Sequence, residues 1–154
     1  MAQAPTLTGQ DIAEAEGAVT ALLEATLVAE GFSTTANEYA VLRAVAARGP
    51  WSEPAALHGF LAGQRQLGID ADGAAKLLAG MEGKGFLSGS SLDGAGPVEL
   101  GAAGRAELGR LAQTVAPLTR PIFGGVDAQE LAIAHRVLTS VIERANRLRA
   151  GEEL

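Results

Sequence analysis

Apolar residues recur every three or four positions along most of this chain, which is the spacing of amphipathic helices. The first stripe covers residues 12–27 and ends before Gly31. The second follows Thr35, which has the spacing of a capping box with Glu38, and it ends before Pro50. The pattern therefore predicts two helices joined by a short connection.

Two shorter helices are predicted in the next segment. We expect Ser52 to cap a third helix, which has Pro54 in its first turn and is interrupted at Gly63. A fourth helix begins at Asp70 or Asp72, and its glycines make it weak in isolation. Its apolar positions are Ala74, Leu77, Leu78 and Met81. Packing against the core must therefore hold the fourth helix in place.

A single stretch has the pattern of β-structure. Residues 86–88 and 98–100 are short and largely apolar, and residues 89–97 between them are rich in Gly, Ser and Asp. This composition predicts two short strands joined by a flexible loop.

The rest of the chain is helical again. We expect one helix over residues 105–118, a break at residues 121–125, and a long helix from Asp127 to about Arg149. Asp127 and Glu130 have the spacing of a capping box and mark the start of that last helix. The last helix carries a stripe of Leu131, Ala134, Leu138 and Val141. Little of the domain remains to cover this stripe, so we expect a partner chain to do so. An intramolecular bundle is the alternative.

Composition limits the possible functions. A chain of 154 residues with 47% hydrophobic content can bury one core, so we expect a single domain over residues 1–154. No apolar run reaches a membrane-spanning length and no signal peptide is apparent, so we expect a cytoplasmic protein. The chain has no cysteine, and His58 and His135 are far apart. We therefore expect no metal and no cofactor.

The order of these elements resembles the winged helix of the MarR family, and four segments carry the likeness. Residues 35–42 resemble the family's second-helix signature, and residues 81–87 are similar to the end of its recognition helix and the entry to its wing. Residues 100–105 resemble the turn after the wing, and residues 126–131 resemble the start of the final helix. The likeness covers most of the chain.

This resemblance implies a mainly α fold with a small β-hairpin wing, a MarR-like winged helix-turn-helix with long terminal dimerisation helices. The winged-helix lobe would cover residues 33–101, with the wing at about 86–100. Residues 11–31 and 105–150 would interlock with those of a second copy in a homodimer, and His135 would line the seam. The resemblance also implies a small-molecule pocket between the lobe and the dimer helices.

The segment that would read DNA departs from the family's pattern. The recognition helix offers Asp70, Asp72 and Lys76, and residues 88–97 of the wing contain no Lys or Arg. Between residues 64 and 105, five acidic residues outweigh four basic ones, for a net charge of −1. The four candidate phosphate contacts are Arg65, Lys76, Lys84 and Arg105. Because phosphate contacts supply most nonspecific affinity, we expect DNA reading to be weakened or lost.

Three functions remain open. The first is binding, or cofactor-free transformation, of a small planar or aromatic molecule by a MarR-like homodimer with weakened DNA reading. The second is a ligand-responsive repressor that binds operator DNA. The third is a protein-interaction module without a ligand. Salt-dependent DNA binding separates the first two, and the presence of a pocket separates both from the third.

The candidate pocket residues are few because the chain is rich in alanine. The candidate ligand contacts are Asn37, Tyr39, Arg43, Trp51 and His58, and the candidate acid or base groups are His58, Tyr39 and Glu38. Each has a structural alternative: Tyr39 as a core aromatic, Trp51 as a plug at the base of the wing, and the others as solvated or structurally hydrogen-bonded groups. No established catalytic motif is present.

Overall fold

The computed structural model describes residues 6–94 and 96–152. The chain divides into two compact units, the first ending at Val115 and the second beginning at Ala116. The first unit contains four helices, a hairpin and the start of a fifth helix. The second contains the end of the fifth helix and the sixth. The expectation of a single domain stays a prediction.

The described elements are mainly helical, with one small hairpin. The helices are α1 (Gly9–Ala29), α2 (Ala36–Arg48), α3 (Pro54–Gly63), α4 (Ala71–Gly83), α5 (Ala102–Phe123) and α6 (Ala128–Arg149), and a 3-10 turn (Arg65–Leu67) precedes α4. Strands β1 (Leu87–Ser88) and β2 (Glu99–Leu100) pair antiparallel, with Leu87 opposite Leu100. The predicted fold class is confirmed.

Side-chain caps explain where the first two helices begin. The Thr8 and Thr35 hydroxyls each accept a hydrogen bond from the backbone N–H of the third residue of their helix. The Asp11 and Glu38 carboxylates in turn accept one from the backbone N–H of Thr8 and Thr35. Hydrogen bonds from the Thr8 hydroxyl and backbone lower the pKa of Asp11. The predicted Thr35 box is confirmed, whereas α1 begins two residues earlier than expected because Thr8 caps it.

The core of the first unit brings together residues of five helices, α1 to α5, and of the hairpin. Its largest fully buried side chains are Leu42, Leu57, Leu61, Leu78, Met81 and Leu111. Ala74, Leu78 and Met81 of α4 are all buried, and Leu77 is half-buried. Packing therefore holds this glycine-containing helix, as its sequence predicts.

A buried carboxylate fixes the first part of α5. Glu107 accepts hydrogen bonds from the Thr34 hydroxyl at 2.5 Å and from the Arg110 guanidinium at 2.8 Å. The Arg110 guanidinium also lies 4.7 Å from the centre of the Phe32 ring. Because both carboxylate oxygens have partners, Glu107 can be buried as a charged group.

The prediction that Ser52 caps α3 is wrong. Glu53 occupies the cap position, and no side chain there accepts a hydrogen bond from the helix. Pro54 is the first residue of α3. A proline at this position has the helical φ already and has no N–H to satisfy, so the start of α3 depends less on a side-chain cap.

The break predicted at residues 121–125 is also wrong in its position. Helix α5 begins at Ala102 and continues through Pro117 and Pro121 to Phe123. Each proline deprives the carbonyl four residues earlier of its helical partner. Those carbonyls belong to Gln113 and Pro117, which are exposed, so water can satisfy them.

The hairpin is shorter than predicted because Val98 pairs elsewhere. Val98 and Trp51 exchange backbone hydrogen bonds of 2.7 and 3.1 Å. The Trp51 ring lies 5.3 Å from that of Phe60, measured between centroids. Trp51 is thus at the base of the wing, and its buried indole N–H has no hydrogen-bond partner among the described residues.

Gly104 allows α5 to approach the entry to the wing, and its replacement should destabilise the protein. A Cβ at this position would overlap the Phe86 carbonyl oxygen, which accepts a hydrogen bond of 2.9 Å from the Gly101 N–H. We expect Gly104→Ala to lower the free energy of unfolding by about 2 kcal/mol, as overpacking does.

Urea denaturation measures this effect, and Gly109→Ala is the matched control on the same helix. A Cβ at Gly109 meets open space, so helix propensity should raise stability by up to about 1 kcal/mol. Equal stability of the two variants would show that the contact at Phe86 does not limit the approach of α5.

Candidate ligand cavity and DNA-reading surface

A small cavity of about 130 Å³ lies between α1, α2 and the 3-10 turn. Its polar lining consists of Glu16, Thr20, Asn37, Tyr39, Arg43 and Gln66, and its apolar lining of Leu23, Ala36, Ala40 and Leu67. Ala36, Tyr39, Ala40 and Arg43 are spaced so that they share one face of α2. Helix α2 therefore supplies one continuous wall of the cavity.

Tyr39 and Arg43 form the centre of this wall. Tyr39 is 8% exposed and packs in the hydrophobic core, and the Arg43 guanidinium carbon lies 5.6 Å from the centre of its ring. Asn37 donates a hydrogen bond of 3.0 Å from its side-chain amide to the Leu67 carbonyl. This bond ties the start of α2 to the end of the 3-10 turn.

Several polar groups of the cavity remain available for a ligand. Within residues 6–94 and 96–152, the Arg43 guanidinium has no carboxylate partner and the Tyr39 hydroxyl has no hydrogen-bond partner. Glu16, by contrast, accepts a hydrogen bond of 2.9 Å from the Thr20 hydroxyl. The available donors can therefore receive an anionic or phenolic group.

The other candidate residues lie in different surroundings. Glu38 is 6% exposed, and its carboxylate accepts hydrogen bonds from the Thr35 N–H at 2.9 Å and the Lys84 ammonium at 2.6 Å. His58 has its Nε2 2.8 Å from the Ser90 carbonyl. Trp51 lies at the base of the wing. The three candidate acid or base groups, Tyr39, Glu38 and His58, thus do not share one cavity.

Sequence reasoning did not identify Glu16, Thr20 and Gln66 as cavity residues. Glu16 and Thr20 are spaced four residues apart and are in register with Leu23, which packs against the core. Polar residues in register with an inward-facing leucine are the signal that was present in α1. Gln66 has no comparable signal, because it belongs to a short turn.

The candidate phosphate contacts differ in whether their side chains already have a partner. Lys84 is paired with Glu38, and the Arg105 guanidinium donates a hydrogen bond to the Leu100 carbonyl. Arg65 and Lys76 are exposed and have no side-chain partner in the part of the chain that the structure describes. Asp70 accepts a hydrogen bond of 2.7 Å from the Gly73 N–H, so it is the cap of α4.

Comparison with known proteins gives a result only at the level of structure. No family model matches the sequence, and no curated protein matches it. A MarR family transcriptional regulator from Silicibacter pomeroyi superposes with a TM-score of 0.71 at 16% identity, covering 87% of this chain and 86% of its own. The oxidised form of MarR from E. coli gives 0.66 at 20% identity, covering 90% and 96%.

A third structure is a MarR family protein from Mycobacterium tuberculosis in complex with p-aminosalicylic acid. Its TM-score is 0.63 at 20% identity, and the match covers 88% of this chain and 98% of that one. This chain has the MarR-like winged-helix fold. In this MarR-like fold α3 and α4 form the helix-turn-helix, and β1 and β2 form the wing.

The described residues of this MarR-like chain contain neither a membrane-spanning helix nor a cluster of metal ligands. No helix there is long and apolar enough to cross a membrane. No group of three or more His, Asp or Glu residues is arranged to hold a metal ion in the same residues.

Proposed function

We propose that this protein is a homodimeric small-molecule-binding protein on a MarR-like scaffold, with a small planar aromatic acid held in the α1–α2 cavity and with weakened DNA reading. The observation that carries the proposal is that Asn37, Tyr39 and Arg43 line one cavity. A ring against Tyr39 and a carboxylate against Arg43 would use the two groups that have no other polar partner in the described chain.

The size of the cavity favours a molecule with a single ring. Its volume of about 130 Å³ is well below the roughly 300 Å³ at which drug-sized pockets begin. The M. tuberculosis MarR family protein has been solved with p-aminosalicylic acid and with salicylic acid, which are molecules of this class. Salicylate is therefore a suitable first probe for this chain.

Isothermal titration with salicylate tests the ligand proposal. A charge-assisted hydrogen bond contributes about 1.5–3 kcal/mol, so Arg43→Gln should weaken salicylate binding by about tenfold or more. Glu16→Gln should strengthen binding severalfold, because it removes a like charge from the cavity. Salicylamide, which is neutral, should be insensitive to both changes.

Arg48→Gln is the matched control for this experiment. Arg48 is on the same helix as Arg43, but its guanidinium lies 4.6 Å from the centre of the Phe60 ring and it does not line the cavity. We expect Arg48→Gln to change affinity by less than a factor of about two. Equal losses in the two variants, or no salicylate binding by the unaltered protein, would contradict the assignment.

Exposed apolar surface supports the homodimer. None of the described residues of α6 is buried, and its large exposed apolar side chains are Ile133, Val137, Leu138, Val141, Ile142 and Leu148. At 3.6 residues per turn these side chains occupy one half of the helix, with Glu143 on the other. Exposed apolar patches of this kind mark association sites. A second copy that covers this face would remove it from water.

Analytical ultracentrifugation tests the homodimer. We expect a dimer for the unaltered protein and a dissociation constant raised by about 100-fold or more for the double variant Val137→Glu and Val141→Glu, because burying an unpaired charge costs several kcal/mol. Glu143→Gln is the control and should leave the dimer intact. A monomer in the unaltered protein at all concentrations would disprove the homodimer.

The small number of free cations supports the proposal of weakened DNA reading. Arg65 and Lys76 are the exposed, unpaired basic residues among the four candidates, and Asp72 and Asp93 of the winged helix are also exposed. A dimer would thus bring about four such cations to DNA. Counterion release gives a slope of about −0.9 per phosphate contact in a plot of log affinity against log salt.

Fluorescence anisotropy with random duplex DNA and with the DNA upstream of the gene measures this slope. We expect a slope no steeper than about −4, and we expect Asp72→Lys to strengthen binding and steepen the slope. A steeper slope, with tight binding to the upstream DNA, would favour the second candidate, a ligand-responsive repressor. The exposed, unpaired Arg65 and Lys76 are what that candidate would rely on.

Catalysis is not included in the proposal. The residues considered as acid or base, His58, Glu38 and Tyr39, do not line a common cavity, and the Glu38 carboxylate is engaged by Thr35 and Lys84. Of these three groups only Tyr39 lines the α1–α2 cavity, so a cofactor-free reaction there would have to use its hydroxyl as the acid or base.

A further inference from the structure

A second cavity lies on the other side of the winged helix, between α3, α4 and the wing. It measures about 200 Å³, and its lining includes His58 of α3 and Ser90, Ser91 and Leu92 of the wing. Helix α4 contributes Ala75, Ala79 and Glu82, which are spaced so that they share one face. Two alanines on that face leave the space open. None of these residues lines the α1–α2 cavity.

The wing is fixed against this cavity by Ser90, which is 1% exposed. Its hydroxyl donates a hydrogen bond of 2.5 Å to Glu82 Oε2, and its carbonyl lies 2.8 Å from His58 Nε2. Gly89, at φ 73°, turns the chain immediately before Ser90. The cavity wall is therefore built from three elements that are joined by hydrogen bonds.

These hydrogen bonds determine which groups remain for a ligand. A carbonyl only accepts, so His58 Nε2 carries a proton, which leaves Nδ1 as the ring nitrogen that can accept a hydrogen bond. Glu82 Oε1 has no hydrogen-bond partner among the described residues. No Lys or Arg is among the lining residues. The free groups of the cavity are thus mainly acceptors, with one formal negative charge.

From this chemistry we infer that the cavity between α3, α4 and the wing binds a small organic cation with N–H donors, such as an alkylammonium group. The ammonium donates to Glu82 and His58, and its alkyl part contacts Ala75, Ala79 and Leu92. The cavity is smaller than a drug-sized pocket, so the cation has only a short chain. This site is distinct from the proposed aromatic-acid cavity in place and in the sign of its ligand's charge.

The test is a titration of the full chain with n-butylammonium chloride, followed by amide signals in ¹H–¹⁵N correlation spectra at constant ionic strength. We expect saturable shifts for Ser90, Ser91 and Leu92. n-Butanol and sodium butyrate have the same carbon chain without the charge or with the opposite one, so neither should produce saturable shifts of these signals.

Two variants assign the binding to this cavity. Glu82→Gln removes the charge but keeps an oxygen that accepts from Ser90, so the wing stays anchored; we expect its affinity for butylammonium to fall at least tenfold. Asp72→Asn removes the same charge from an exposed position on α4 outside the cavity, and its effect should stay below twofold. Ala79→Leu should fill the cavity and abolish the saturable shifts.

Three results would overturn the inference: no saturable shift with butylammonium, equally strong shifts with butanol or butyrate, or equal losses in Glu82→Gln and Asp72→Asn. Circular dichroism confirms that each variant is folded. Salicylate binding, measured on the same samples, reports on the α1–α2 cavity, so that failure of one site is distinguishable from failure of the other.

Discussion

The structure of the first unit depends on the Glu38 carboxylate in the first turn of α2. A buried carboxylate is costly unless its oxygens have partners, and here the Thr35 N–H and the Lys84 ammonium provide them. The first partner starts α2 as a helix, and the second connects α2 to the residue that ends α4. The neighbouring Asn37 donates a hydrogen bond to the carbonyl of Leu67, which lies shortly before the start of α4. Two consecutive residues of α2 therefore fix the approach to α4 and its end, which matters because glycines make α4 a weak helix by itself.

The same turn also forms part of the α1–α2 cavity. Asn37 and Tyr39 line that cavity, while Glu38 between them is directed to Lys84. The helical period accounts for the direction of Glu38, which is on the opposite side of α2 from the face formed by Ala36, Tyr39, Ala40 and Arg43. A molecule in the cavity would thus contact the turn that positions α4, without touching α4. Glu82 of α4 anchors the wing in a similar way, because its carboxylate accepts a hydrogen bond from the Ser90 hydroxyl. Carboxylates therefore connect α4 to both of its neighbours: Glu38 binds Lys84 at the end of α4, and Glu82 binds Ser90 of the wing.

How much of this could be predicted from sequence depends on the range of each interaction. The helices and the Thr35 cap were predicted because periodicity and capping involve residues at most a few positions apart. Asn37, Tyr39 and Arg43 were grouped correctly on one helix, but whether they form a ligand site stays a prediction. The pairs Glu38–Lys84 and His58–Ser90 are separated by many residues, so no local pattern indicates them. The passage of α5 through Pro121 was missed for another reason: the cost of a proline depends on whether water reaches the freed carbonyl, and exposure is not visible in a single sequence.

The winged helix has fewer unpaired basic side chains than its sequence suggests. The net charge of −1 for residues 64–105 counts every basic residue as equal. Lys84 is already neutralised by Glu38, which lies outside that segment, and Arg105 is engaged by a carbonyl. Arg65 and Lys76 then remain against exposed Asp72, Asp93 and Glu99. Phosphate binding requires cations that are free to release counterions when they meet DNA. Half of the basic candidates are thus committed to contacts within the fold, and this is the basis on which we propose weakened DNA reading.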